Sequence, residues 1–186
     1  ITFDYDFRGH LKTIVDSAGR HLDVETHDAS GRIIAIRAPQ PSGSGEKFEI
    51  VKYFYGSHGN LVEAKDALGH SFKYEYEGLL LVKETDRNGL CFQFEYDGDD
   101  HTARCVQTWG TNNIYDHALE YHPGENLTIV ENSLRHQTYH YRNKAGLIVK
   151  TINAKENVST ITYNRHNEKL TETNELGHTT SYSYDG

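Results

Sequence analysis

The chain has no methionine, one tryptophan and two cysteines, and it contains no apolar run approaching the roughly 18 residues of a membrane-spanning helix. The missing run excludes a helical span, and no apolar core of a signal peptide is present either. Clustered lysine and arginine are also absent: the formal net charge is −8 with a pI near 5.8. A broad nucleic-acid surface needs such clusters to neutralise phosphates, so that class is set aside. Uninterrupted stretches are scarce too. Gly, Asn, Asp or Pro breaks the pattern so often that long helices are excluded. Mean hydropathy is −0.72 and hydrophobic residues make up only 36% of 186 residues. Such poverty suggests disorder, but thirteen tyrosines within 11% aromatics argue against it.

What is present is periodic. In KYEYEGLLLVKETDRNG, residues 73 to 89, Tyr74 and Tyr76 stand two apart and would project from one face of a strand. A glycine and an apolar return follow, and then a turn signal. The pattern recurs in FDYDFRGHLKTIVDSAGR (3 to 20), YFYGSHGNLVEAKDALGH (53 to 70) and ITYNRHNEKLTETNELGH (161 to 178). The marker aromatics are Tyr5, Tyr55, Tyr76, Tyr96, Tyr121, Tyr141, Tyr163 and Tyr184, with Thr26 as a degenerate copy. Successive gaps are 21, 29, 21, 20, 25, 20, 22 and 21 residues, the signature of a repeat array. Tyrosine takes the packing role of Leu and Val here, burying its ring while the hydroxyl stays near water.

Each repeat reads as strand, turn, strand, turn. The first turn carries a glycine at Gly9, Gly31, Gly59, Gly124 and Gly146, where one residue must sit at positive φ. The second reads Asp16 to Gly19, Asp66 to Gly69, Asp86 to Gly89 and Asn174 to Gly177. Its Asp or Asn caps the backbone two residues on. In residues 153 to 157, Asn157 is expected to substitute for the glycine. The apolar return strands 61 to 62, 79 to 82 and 147 to 149 require partial cover on both faces. The fold class expected is all-β, a repetitive antiparallel β-hairpin array forming a curved or spiralling sheet. It is read as one array segment over 1–186 of about eight and a half repeats. A Pro/Gly/Ser-rich loop is inserted at 38–47, the first turn is lengthened at 97–104, and 131–136 lacks the glycine. With no methionine, and with ends that fall inside repeats, the segment is expected to be truncated at both ends and to be part of a larger shell.

Tyr-Asp, a glycine and a leucine, then Asp, two residues, Gly and Arg or His, as in 5 to 11 with 16 to 20, 66 to 70, 94 to 98 and 175 to 186, resemble the YD repeat, also called the Rhs repeat. The resemblance covers essentially the whole chain, although Tyr-Asp itself survives only at Tyr5, Tyr96 and Tyr184. It implies a non-catalytic structural segment of a shell, as in bacterial Rhs, wall-associated and Tc-type toxins, with relatives among animal teneurins. In that reading the shell encloses a C-terminal toxin or other cargo of the parent chain, secreted or displayed by a bacterial export system. The partners are then the intramolecular cargo and neighbouring repeats, and open sheet edges would let the segment self-associate. The other reading is an extracellular adhesion or recognition module, teneurin-like or wall-associated, that binds glycans or a protein. No counterpart of the family's self-cleavage motif is found in this chain.

Catalytic, cofactor and metal sites are not expected. His117 and His122 are five apart in a strand and so face opposite ways, His140 lies between two strand tyrosines, and His10, His58, His70 and His178 occupy turns. The acidic run 97 to 100 lacks the spacing of a calcium loop. No nucleophile elbow, phosphate loop or zinc signature occurs. Trp109, at a turn-Asp position, is read as a packed aromatic rather than a sugar platform. Cys91 and Cys105 fall in one hairpin, where free thiols are favoured over an offset disulfide. Asn126 and Asn157 match N-glycosylation acceptors, without meaning in a bacterial protein.

Overall fold

The computed structural model describes residues 1–27 and 30–185. Alternation of aromatic or β-branched residues with polar ones, cut at regular intervals by Asp, Asn and Gly, gives, among the described residues, seventeen strands and two single-turn 3₁₀ segments. The chain divides into two compact units, 1–92 and 93–186.

The first unit contains β1 (Thr2–Tyr5), β2 (Leu11–Val15), β3 (His21–Thr26), β4 (Ile33–Pro39), β5 (Lys47–Tyr55), β6 (Leu61–Asp66), β7 (Ser71–Glu77) and β8 (Leu80–Thr85). Each pairs antiparallel with the next, so the chain advances by hairpins alone. β9 (Cys91–Tyr96) crosses into the second unit and pairs with β10 (Cys105–Gly110). There follow β11 (His117–His122), β12 (Leu127–Asn132), β13 (Gln137–Arg142), β14 (Ile148–Ile152), β15 (Val158–Tyr163), β16 (Lys169–Thr173) and β17 (Thr179–Ser181), again paired antiparallel in sequence. The architecture is the all-β hairpin array that the periodicity implied.

The repeat shows itself as a register shift. In β1/β2, β5/β6, β13/β14 and β15/β16 the pairing slips by one residue beside the first turn, at Tyr5, Tyr55, Arg142 and Tyr163. Each is a β-bulge that places one extra residue on the return strand, namely Lys12, Val62, Val149 and Leu170.

The core is thin. Among the described residues the only buried hydrophobic side chains are Val24, Ala35 and Leu127, and Thr128 is 2% exposed. Most strand residues are half-buried, because a ribbon of short strands covers each face only with its own neighbours. The return strands follow this rule at Leu61, Val62, Leu80, Leu81, Val82, Leu147, Ile148 and Val149. Leu79 departs from it: it lies in the turn after Gly78 and is 68% exposed.

The inserted loop is shorter than its composition suggests. Ala38 and Pro39 finish β4, facing Phe48 and Lys47 of β5, and only 40 to 46 leave the ladder. There the Gln40 N–H donates to Glu46 O at 2.9 Å and the Gly43 N–H to Gln40 O at 3.1 Å. Trp109 is not in a turn either; it sits in β10, half-buried.

Candidate functional site: capped turns and cross-strand tyrosines

One turn geometry closes both hairpins of the repeat. At Asp16 the Oδ1 atom accepts the N–H groups of Ala18 and Arg20, at 2.8 and 3.0 Å. The Asp16 N–H donates to Arg20 O at 3.1 Å, and the Gly19 N–H donates back to Asp16 O at 3.0 Å. Asp6, Asp66, Asp86, Asn132, Asn143, Asn153, Asn164 and Asn174 repeat this double acceptance, two and four residues on. Asp and Asn do this because one short side-chain oxygen reaches two backbone donors that the tight loop leaves without ladder partners.

The left-handed slot three residues after the cap is occupied by Gly9, Gly19, Gly69, Gly89, Gly146 and Gly177, with φ between +75 and +87°. Gly31 and Gly59 also take positive φ, +65 and +81°. A methyl group built on Gly31 would stand 2.6 Å from His10 Nε2, so the first turn of one repeat lies against the next. Three slots hold other residues: Arg135, Glu156 and Asn167, at φ of +63, +62 and +64°. Glu156, not Asn157, therefore fills the slot in the turn at 153. Gly124 is likewise not left-handed; it belongs to a 3₁₀ turn, Pro123–Glu125, whose left-handed residue is Asn126 at φ +52°.

Three of the aspartate caps, Asp6, Asp16 and Asp66, titrate low. The Arg20 backbone N–H, then the Arg20 guanidinium, hold the Asp16 carboxyl below the ordinary 3.8. The His10 N–H does the same for Asp6. At Asp66 desolvation pushes upward, but the Arg87 guanidinium and the His70 N–H bring the net shift down.

The tyrosines bond across strands. Tyr55 Oη donates to Ile33 O at 2.8 Å, Tyr121 Oη to Cys105 O at 2.8 Å, Tyr163 Oη to Ile148 O at 3.0 Å and Tyr184 Oη to Lys169 O at 2.9 Å. The acceptor is each time the first residue of the preceding repeat's return strand, namely β4, β10, β14 or β16. Each bond thus ties two repeats together at the end where their first turns lie. Burial pushes the hydroxyls of Tyr55, Tyr74, Tyr76, Tyr96 and Tyr121 above the ordinary 10.0, so they remain donors. Cations cover some of these rings: Arg32 lies 5.7 Å from the Tyr55 centroid, Arg104 4.7 Å from Tyr121 and Lys150 5.1 Å from Tyr141. Tyr5, at the start of the array, is 61% exposed.

The chemical candidates are dispersed. Among the described residues no group of three His, Cys, Asp or Glu could hold a metal ion. His117 Nδ1 lies 2.7 Å from Tyr115 O, and His122 Nε2 lies 3.0 Å from Glu120 Oε1 without forming a well-aligned hydrogen bond. His140 is held below the ordinary 6.5 by burial and by the Arg142 charge. In the acidic loop, Asp97 is engaged by Arg104, 2.8 Å away, and Asp100 by the Thr102 hydroxyl at 2.6 Å. Cys91 and Cys105 are both thiols; Cys105 Sγ donates to Gln107 O at 3.3 Å, and burial pushes its thiol above the ordinary 9.0. No helix among the described residues is long and apolar enough to cross a membrane.

No curated protein sequence matches the chain. Solved structures similar to it include TcdB2-TccC3-TEV, with 12% identity over 93% of this chain and a TM-score of 0.45. The Photorhabdus luminescens Tc holotoxin pore is also similar, with 15% identity over 96% of this chain and a TM-score of 0.48. The chain spans 11% of the first structure's length and 9% of the second's. The sequence model described as Teneurin YD-shell matches residues 1–113, which hold the first turn-capped hairpins and the Tyr55 and Tyr96 markers. With more than half its length matched by that model, the chain belongs to the teneurin YD-shell family.

Proposed function

We propose that residues 1–186 are one continuous array in the wall of a β-shell, and that the wall's task is enclosure of a toxin or other cargo carried by the same secreted protein. The marker tyrosines act as the ladder between repeats and the capped turns set hairpin length. The observation that supports this most directly is the recurrent tyrosine bond from one repeat to the backbone of the one before. It joins successive hairpins without using a pocket or a reactive group, as a wall requires and a catalytic centre does not. Limited proteolysis of the full-length protein tests the reading. A segment outside the array should resist cleavage in the native protein and become labile when Tyr121 and Tyr163 are both changed to phenylalanine. Equal cleavage rates in the two proteins would reject enclosure.

The teneurin description of the matching family supports a second reading, an extracellular recognition module. Saturable binding of the isolated array to cell surfaces, with no protected segment in the proteolysis, would favour it.

A further inference from the structure

The second unit contains an open cleft of about 360 Å³ lined by Tyr121, Pro123, Leu127, Thr128, Arg142 and Lys144, among others. Its charge balance is opposite to that of the chain as a whole, which carries a formal −8. Arg104, on one side, is already paired with Asp97 at 2.8 Å. Arg142 is not so paired. Its Nη1 donates to Thr128 Oγ1 at 2.6 Å, and among the described residues no carboxylate forms a salt bridge with it or with Lys144. Thr128 is the most deeply buried side chain of the unit, and its hydroxyl fixes the guanidinium without neutralising it. A half-buried guanidinium held on a neutral acceptor retains donors suited to a planar, charged partner.

The cleft's other features select among anions. Phosphate sites are commonly built from converging backbone N–H groups. Here most of those groups are consumed: the Asn126 N–H donates to Pro123 O, the Gly146 N–H to Asn143 O, and the Ala145 and Leu147 N–H groups to Asn143 Oδ1. An acidic sugar would want a free aromatic face, but Arg104 already lies over Tyr121, 4.7 Å from its centroid. What remains is a side-chain guanidinium and ammonium beside apolar walls from Pro123 and Leu127, open to a chain lying across the surface.

We propose that this cleft is a binding site for an acidic peptide segment, which inserts one Asp or Glu carboxylate between Arg142 and Lys144. The inference stands independently of the enclosure reading, since it concerns the cleft alone. Titration of the isotope-labelled 186-residue chain with acetyl-Ala-Glu-Ala-amide, followed by NMR, should give saturable shifts at Thr128, Arg142 and Lys144. The matching Gln peptide should give none. Arg142→Gln should weaken binding about tenfold, the value of one charge-assisted hydrogen bond. Lys144→Gln, at an exposed position without a structural bond, should weaken it about threefold through the lost charge alone; it remains informative if Arg142→Gln destabilises the fold. Equal shifts with the Glu and Gln peptides, or unchanged affinity in a folded Lys144→Gln chain, would overturn the proposal. Tighter binding of inorganic phosphate or glucuronate than of the Glu peptide would overturn the choice of a peptide.

Discussion

A single side-chain oxygen that receives two backbone N–H groups is the smallest unit of this structure. At Asn132, Oδ1 accepts from Leu134 and His136 at 2.9 and 3.1 Å. Asn132→Ala should destabilise the second unit by about 1–2 kcal/mol, as a lower midpoint in urea, because two turn donors lose their acceptor. Glu156 shows the opposite case, a side chain held at φ +62°. Glu156→Gly should stabilise the chain by no more than about 1 kcal/mol, read as a higher melting temperature, since relief of the left-handed penalty is partly offset by glycine's chain entropy. Caps that are aspartates add a pH dependence. The folded carboxyls of Asp6, Asp16 and Asp66 titrate below the ordinary 3.8, so the stability they contribute is complete above that value and is lost as pH falls through the depressed one. His140, held below 6.5 in the folded chain, acts in the same direction at higher pH. Thermal melts from pH 7 down to 3 should therefore show a decline that Asp16→Asn reduces. Four second turns, at Asp16, Asp66, Asp86 and Asn174, could be read from Asp or Asn, two residues and Gly. The turns at Asn132, Asn153 and Asn164 were harder to read, because Asn replaces the cap and Arg135, Glu156 and Asn167 replace the glycine. The surviving signal was an Asn two positions before the donor that it caps.

At the scale of the strand and its partner, the tyrosine period was legible but the direction of its bonds was not. A spacing near twenty residues says that equivalent rings recur; it does not say that the hydroxyl crosses to a carbonyl of the preceding repeat. Tyr163→Phe removes only the 3.0 Å bond to Ile148 O and keeps the ring. The expected cost is about 1 kcal/mol, read from chemical denaturation. Tyr163→Leu should cost more, because the packed ring is lost as well. Trp109 was harder to place because the lengthened turn at 97 to 104 shifts the phase of everything after it, moving a position that matches a turn into β10. Leu79 was misread for a related reason: two residues, Gly78 and Leu79, suffice for the turn between β7 and β8, so the apolar run starts one residue before the strand. A run of like residues carries no internal mark of where the turn ends.

For the molecule as a whole, the thinness of the core sets the expectations. With Val24, Ala35 and Leu127 as the buried hydrophobic residues, stability is spread over ladders and caps, as in other repeat arrays. β1 and β17 are exposed along their full lengths, and strands of this kind template pairing with other chains. The charge of −8 opposes that association, and salt screens it. Sedimentation velocity of the isolated chain should therefore show more self-association at high ionic strength than at low; a monomer at every salt and protein concentration would count against open edges. The tyrosine bonds bear on how such a protein can change over generations. Their acceptors are carbonyls of Ile33, Cys105, Ile148 and Lys169, four positions with three kinds of side chain and one shared oxygen. Every residue type supplies that oxygen, so mutation can repaint the surface at those positions from greasy to charged while the fastening between neighbouring repeats is inherited unaltered.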